Sequence, residues 1–162
     1  MSRVEPSLPA AARRLRDRLQ LLPHPEGGWY RETWRAGLTV ATPWGDRPAG
    51  TSILYLLAGG QVSKPHRLRQ DEVWSFQAGT GLDLHLFAAG AVHTVHRLGP
   101  DAALQVVVPA GVWMGAKTDG GWALVGCACA PGFAFADLEF ADLDTLLAGW
   151  PQAAAVSRSF CD

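Results

Sequence analysis

Little in this 162-residue chain points to a membrane, a nucleic acid or an oxidising compartment. No apolar run approaches the roughly 20 residues that span a bilayer. Arg13, Arg14, Arg16 and Arg18 interrupt the one early stretch that could serve as the apolar part of a signal peptide. Neither sign of charge prevails: 14 Lys and Arg stand against 15 Asp and Glu, for a net charge of −1. That balance excludes the basic face of a nucleic-acid binder. A hydrophobic content of 48% excludes a disordered chain. Cysteine is scarce, and a set of three cannot close into disulfides. Cys127 and Cys129 would share one face of a strand in the apolar run Ala123 to Ala130. They read as buried small hydrophobes in a reducing cytoplasm. As a C-x-C metal half-site they lack a second pair. Also missing are a G-x-S-x-G elbow, a phosphate-binding glycine loop with lysine, and a Cys-rich zinc pattern.

Turn residues, by contrast, are plentiful. The 18 Gly and 11 Pro suit many short strands joined by tight turns. The length allows one domain over residues 1–162, with its core at about 21–141. Leu8, Ala12, Leu15, Leu19 and Leu22 recur at helical spacing behind Ser7, a candidate cap. A helix is therefore expected over about 8–22, with its arginines solvated and Pro23 and Pro25 as its stop. A Pro- and Gly-rich loop runs from about Gly37 to Gly50. Strands are expected at Thr51–Leu57, Val62–Leu68, Val73–Gln77, Leu82–Phe87, Val92–Leu98, Gln105–Val108, Val112–Lys117 and Trp122–Cys129. A short helix from Asp137 to Leu147 closes the chain. This pattern predicts a mainly all-β antiparallel sandwich or barrel.

Gly60 to Gly79 carries the densest chemistry. Gly60 precedes His66 by six positions; Leu68, Glu72 and Gly79 follow. Residues two apart on a strand share a face. His66 and Leu68 therefore point one way, and so do Glu72, Trp74 and Phe76. Facing inward, they would give a lumen one imidazole, one carboxylate and apolar walls, as a small-molecule pocket needs. The segment resembles the first cupin motif, G-x5-H-x-H-x3-E-x6-G, with Leu68 in place of the second histidine. Val106-Val107-Val108 leads into Pro109-Ala110-Gly111-Val112-Trp113-Met114, which resembles the second cupin motif. There Met114 replaces the ligand histidine and Ala103 the leading glycine.

Further segments resemble one branch, the DUF985 (cupin-5) family. They are His24-Pro-Glu-Gly-Gly-Trp-Tyr-Arg-Glu-Thr33, Ser63 to Trp74, Val108 to Trp113, and Leu124 to Cys127 leading to Pro131 through Glu139. Pro65, Ser75 and Met114 depart from the residues usual in that family. The resemblance implies a jelly-roll (double-stranded β-helix) cupin, commonly a homodimer, related in fold to sugar epimerases. It implies no established activity.

His66 and Glu72 are the candidate catalytic pair, since a carboxylate beside an imidazole raises its pKa and fixes its ring. Tyr30, Glu32, Ser63, Leu68, Trp74, Phe76, His85, Trp113 and Met114 are candidate ligand-binding residues. In Leu82 to Phe87 the leucines alternate with Asp83, His85 and Phe87, so either set could face the lumen. Asp71, His93 and His96 are expected to face solvent, and His24, between two prolines, to be a structural loop residue. No cofactor is expected, because Leu68 and Met114 cannot replace two imidazoles. Were a metal held, His66, Glu72 and His85 would be its ligands. Three functional classes fit: a metal-independent sugar or nucleotide-sugar isomerase or epimerase, a non-catalytic ligand-binding or sensor module, and a metal-dependent oxygenase or isomerase. The expected partners are a small molecule and a second copy of the chain.

Overall fold

The computed structural model describes residues 8–161. In chain order its strands are β1 (Leu22–Pro23), β2 (Trp29–Arg35), β3 (Thr39–Val40), β4 (Arg47–Pro48), β5 (Thr51–Ala58), β6 (Val62–Arg67) and β7 (Asp71–Gly79). There follow β8 (Leu82–Ala88), β9 (Val92–Leu98), β10 (Gln105–Val108), β11 (Trp113–Lys117), β12 (Trp122–Ala130) and β13 (Glu139–Phe140). The helices are α1 (Ala10–Leu19), α2 (Leu143–Gly149) and α3 (Ala154–Arg158). One sheet has the order β1-β2-β5-β12-β7-β10 and the other β13-β6-β11-β8-β9. The two face each other as a jelly roll, a double-stranded β-helix, and their strand pairs are antiparallel. A small β3–β4 hairpin stands apart.

Side-chain alternation sorts the residues into three layers. The central core holds Tyr55, Leu57, Trp74, Leu82, Leu84, Leu86, Met114, Val125 and Cys127. The outer face of the six-stranded sheet presents Trp29, Leu56, Ala58 and Leu124 to Leu8 and Ala12 at the α1 end. The outer face of the five-stranded sheet presents Phe87 and Trp113 to Leu146, Trp150 and Phe160 of the C-terminal helices. The leucines of β8 thus face the lumen, and His85 faces out. Period-2 alternation leaves it no other side.

The termini depart from expectation. Ser7 lies outside the described residues, and the helix starts at Ala10 behind Pro9, with no side-chain cap bond. It stops at Leu19 because Gln20 turns left-handed (φ 55°) and bonds back into the last turn. Leu22 leaves the apolar face altogether and is 66% exposed. No single helix spans Asp137 to Leu147. Arg47 holds the Asp137 carboxylate through bonds of 2.6 and 2.7 Å. Glu139 and Phe140 then pair with Arg67 and His66 as an edge strand. Helix α2 begins only where Asp142 accepts from the Thr145 N–H at 2.7 Å.

Candidate functional site

The site begins with two glycines. Gly27 has φ +107°, and a Cβ there would lie 2.2 Å from the Val62 carbonyl oxygen. Gly28 has φ +68°, and its Cβ would lie 2.5 Å from the Leu56 carbonyl oxygen. Only glycine allows both this conformation and this approach. The Tyr55 hydroxyl donates to the Gly27 carbonyl at 2.8 Å. The Lys64 N–H donates to the Glu26 carbonyl at 2.8 Å. The segment before β2 is thereby laid against β5 and β6, and Glu26 is carried into the barrel, 7% exposed.

There Glu26 meets His66. His66 Nε2 is 3.3 Å from Glu26 Oε1, and its Nδ1 is 2.7 Å from the Lys64 carbonyl oxygen. A carbonyl only accepts, so Nδ1 carries the proton and Nε2 offers a lone pair to Glu26. Ser63 Oγ donates to Glu26 Oε2 at 3.2 Å. Burial drives the Glu26 carboxyl up to about 8, against the pull of the Ser63 bond. Burial also lowers His66, partly offset by the charge of Glu72 and the Lys64 carbonyl. Both shifts favour a neutral pair, with the Glu26 carboxyl facing the imidazole Nε2.

A second carboxyl stands on β7. Burial raises Glu72 to about 7; the charge of Glu26 adds to this, while His66, Trp74 and Cys129 pull it down. Trp74 Nε1 donates to Glu72 Oε2 at 2.8 Å. The second histidine is His24. The Glu26 N–H donates to its Nδ1 at 3.2 Å, so in the neutral ring Nε2 carries the proton. Burial, then the neighbouring His66, lowers it to about 4. Tyr30 and Tyr55 pack edge-on against the His24 ring, with centroids at 4.4 and 5.6 Å.

These groups line a cavity of about 320 Å³. That is near the lower end of the roughly 300–1,000 Å³ of small-molecule sites. Ile53, Tyr55, Trp74, Phe133 and the two lumen cysteines make apolar wall. At the rim Arg35 grips Glu32 with Nε at 3.0 Å and Nη2 at 2.7 Å.

The structure divides the residues expected from sequence. Glu72, Trp74, Tyr30 and Glu32 line the cavity. His66 and Ser63 stand behind Glu26, bonded to it and fully buried. The acidic group bonded to His66 is therefore Glu26, whereas Glu72 is bonded to Trp74 and Cys129. Leu68, Phe76 and Met114 pack in the central core, outside the cavity lining. His85 and Trp113 lie on the far face of their sheet, against Phe160 and Arg67 respectively. Asp71 does face solvent, but His93 is half-buried, its ring stacked on those of His85 and Phe87. His24, read as a loop residue, is a cavity wall, and Glu26, Tyr55 and Arg35 join it. The glycine pair was the available signal: a double turn beside an acid and a histidine places their backbone close to another strand.

The donor set does not fit the metal centre that the cupin fold often carries. Leu68 and Met114 fill two ligand positions with core side chains. Both nitrogens of His66 face protein partners. Among the described residues no group of three His, Cys, Asp or Glu side chains converges as metal ligands would.

Comparison with known proteins places the chain. The family model described as cupin superfamily (DUF985) matches residues 13–141. A hypothetical protein from Leishmania major is 32% identical, with a TM-score of 0.83 over 91% of this chain and 96% of that one. A protein from Shewanella oneidensis is 36% identical, with a TM-score of 0.82 over 91% of this chain and 94% of that one. Oxalate decarboxylase from Bacillus subtilis is 14% identical, with a TM-score of 0.56 over 78% of this chain and 33% of that one. At that identity the likeness is one of fold alone. No curated protein matches the sequence.

Proposed function

Because the chain belongs to the DUF985 family of the cupin superfamily, whose barrel encloses the cavity just described, we propose that it binds a small organic molecule there and moves a proton on it. The reaction class is a metal-independent isomerisation or epimerisation beside a carbonyl, with a sugar or sugar derivative as substrate. One observation carries this reading: two buried carboxyls, Glu72 and Glu26, both raised toward neutral by burial, line one cavity. Their partners assign the roles: the Trp74 N–H favours an ionised Glu72, and the imidazole lone pair beside Glu26 favours its protonated form.

Glu72 is the base and Glu26 the acid. Glu72 takes the proton from the carbon beside the carbonyl. The C–H electron pair moves into a new C=C bond, the C=O π pair moves to oxygen, and that oxygen takes the proton of Glu26. The enediol product carries no net charge, so the apolar cavity holds it. Glu72 then gives its proton to the neighbouring carbon while the hydroxyl there gives its proton to Glu26 and becomes the new C=O, which completes an isomerisation and restores both carboxyls. If the enediol turns over first, Glu72 reprotonates the original carbon on its other face and the enol O–H returns its proton to Glu26, which gives the epimer. His66 does not line the cavity; it is a positioning residue that keeps the Glu26 carboxyl in place, 3.3 Å from its Nε2. His24 Nε2–H is a further donor for a ligand oxygen.

The test needs no known product. A panel of aldoses, ketoses and their derivatives is incubated with the protein in D2O, and deuterium at the α-carbon is read by NMR. Exchange on at least one member, lost in Glu72→Gln, supports the reading. A panel member that binds with no member exchanging makes the chain a passive ligand-binding module instead.

We further propose an isologous homodimer in the cytoplasm. The exposed Leu22 and Trp34 on the neighbouring β1 and β2, at one edge of the six-stranded sheet, support the pairing. The three free cysteines support a reducing setting. Among the described residues no helix is long and apolar enough to cross a membrane.

A further inference from the structure

In its resting, mildly acidic form the cavity offers a ligand no unpaired charge. Of its lining residues only Arg35 is a fixed cation, and Glu32 engages it from two directions at the rim. That pair is well exposed, with side chains 47% and 39% accessible, while Glu26 deep inside is only 9% accessible. Glu26 is bonded to His66 and Ser63, and Glu72 to Trp74. No Lys or Arg faces either carboxyl among the lining residues. The remaining wall is Ile53, Tyr55, Trp74, Phe133 and two thiols.

From this geometry we propose that the cavity takes an uncharged single-ring carbonyl or hydroxyl compound, its oxygen against His24 and Glu26, and rejects charged analogues of the same size. The inference rests on the small-molecule reading above and narrows its substrate class. Its physical basis is the cost of burying an unpaired ion. An anion inside would meet carboxyls and no cation; a cation, below the pH at which Glu72 ionises, would meet acids held in their neutral form. The protein's own groups report the same medium. Burial raises Glu26, Glu72, Tyr55, Cys127 and Cys129 and lowers His24, in every case toward the uncharged species. A ligand group of either sign meets that medium too. The volume of about 320 Å³ limits the ligand to roughly one ring.

Benzamide, benzoate and benzylammonium share one ring size and differ in charge. Their binding at pH 5.5, below the range in which Glu72 ionises, is measured by saturation-transfer NMR titration on the whole protein, and on Ile53→Trp and Cys129→Phe. Each variant fills the cavity from a different strand, so failure of one to fold leaves the other. The expected result is benzamide binding at least tenfold tighter than either ion, with the signal lost in the filled variants. Benzoate or benzylammonium binding as tightly as benzamide overturns the proposal. So does binding of none of the three, or benzamide binding that both filled variants retain. Benzamide binding without α-proton exchange on any sugar would sink the acid–base reading and leave this one standing. Exchange together with tight benzoate binding would do the reverse.

Discussion

The polar residues of the cavity are set by what water does not reach. Glu26 and Glu72 sit near neutral pKa because burial disfavours their charged forms and no cation answers them. Turnover needs Glu72 ionised and Glu26 protonated. The rate constant kcat/KM for an exchanging substrate should therefore peak between about pH 7 and 8, where Glu72 is ionised and Glu26 still protonated. The two limbs belong to the coupled pair. Glu72→Gln should lower kcat by about 10²-fold or more, since removal of a general base costs on that order. Glu26→Gln keeps shape and neutrality but carries no transferable proton; it should lose the descending limb along with most of kcat. His66→Asn tests positioning: kcat falls while KM stays near its original value, and the descending limb moves to lower or higher pH. A profile in all three variants that matches the parent would remove this constellation from catalysis.

At the scale of the element, position is fixed by close backbone approach and by outer cover. The turn at Gly27 brings the segment before β2 against β6 with no room for a Cβ, 2.2 Å from the Val62 carbonyl oxygen. Gly27→Ala must shift that turn, and Glu26 with it. Thermal unfolding should show a loss of several degrees, and the Glu26-dependent limb of the pH profile should blur. On the other side, α2 inserts Leu146, fully buried against Phe87 and Trp113, under the five-stranded sheet. Leu146→Ala should cost about 2–5 kcal/mol by urea unfolding, the range for truncating a buried leucine. The cavity lies on the other face of the barrel wall from Leu146, so ligand affinity should hold in the folded fraction. A change below 0.5 kcal/mol, taken as the surface-substitution limit of about that size, would mean that the C-terminal helices do not stabilise the barrel.

For the whole molecule, buried titratable groups link stability to pH. Glu26 has a folded pKa near 8 against an ordinary value of 4.5. Between those values the folded state binds more protons than the unfolded one. Stability from this group is fully present below about pH 4.5 and is lost as pH rises through about 8. Glu72 acts in the same direction, ending near 7. His24 acts oppositely: its neutral burial is costly once the unfolded imidazole protonates, so stability falls as pH drops from 6.5 toward about 4. Melting temperatures should therefore decline on both sides of a maximum in the mildly acidic range. Glu26→Gln should gain on the parent steadily from pH 5 to pH 8.5; a constant difference would contradict the raised pKa. Light scattering at micromolar concentration should give a dimer mass, and Trp34→Glu should shift it toward the monomer. A monomer in the parent protein would remove the proposed pairing.

A mainly antiparallel β sandwich or barrel was legible from sequence because strand alternation and turn residues are local signals; the jelly roll itself was implied by the resemblance of the motif segments to the cupins. Leu82, Leu84 and Leu86 had to share a face, and Glu72 had to share one with Trp74. The motif strands also placed His66 in the barrel wall. Which face the β8 leucines took was not local: it depended on α3 and Phe160, which cover His85 from the chain's far end. The partner of His66 was not local either. Glu26 lies 40 residues upstream, on a turn that reaches β6 only through two glycines, the Lys64 N–H and the Tyr55 hydroxyl, both of which donate to its carbonyls. Sequence spacing suggested Glu72 because it shares the motif. Strand order instead set β7 in the opposite sheet, where its carboxyl faces Trp74 and Cys129. The residue types of the site were therefore written in the chain. Their pairing, and with it every pKa shift, came from burial that only the closed barrel creates.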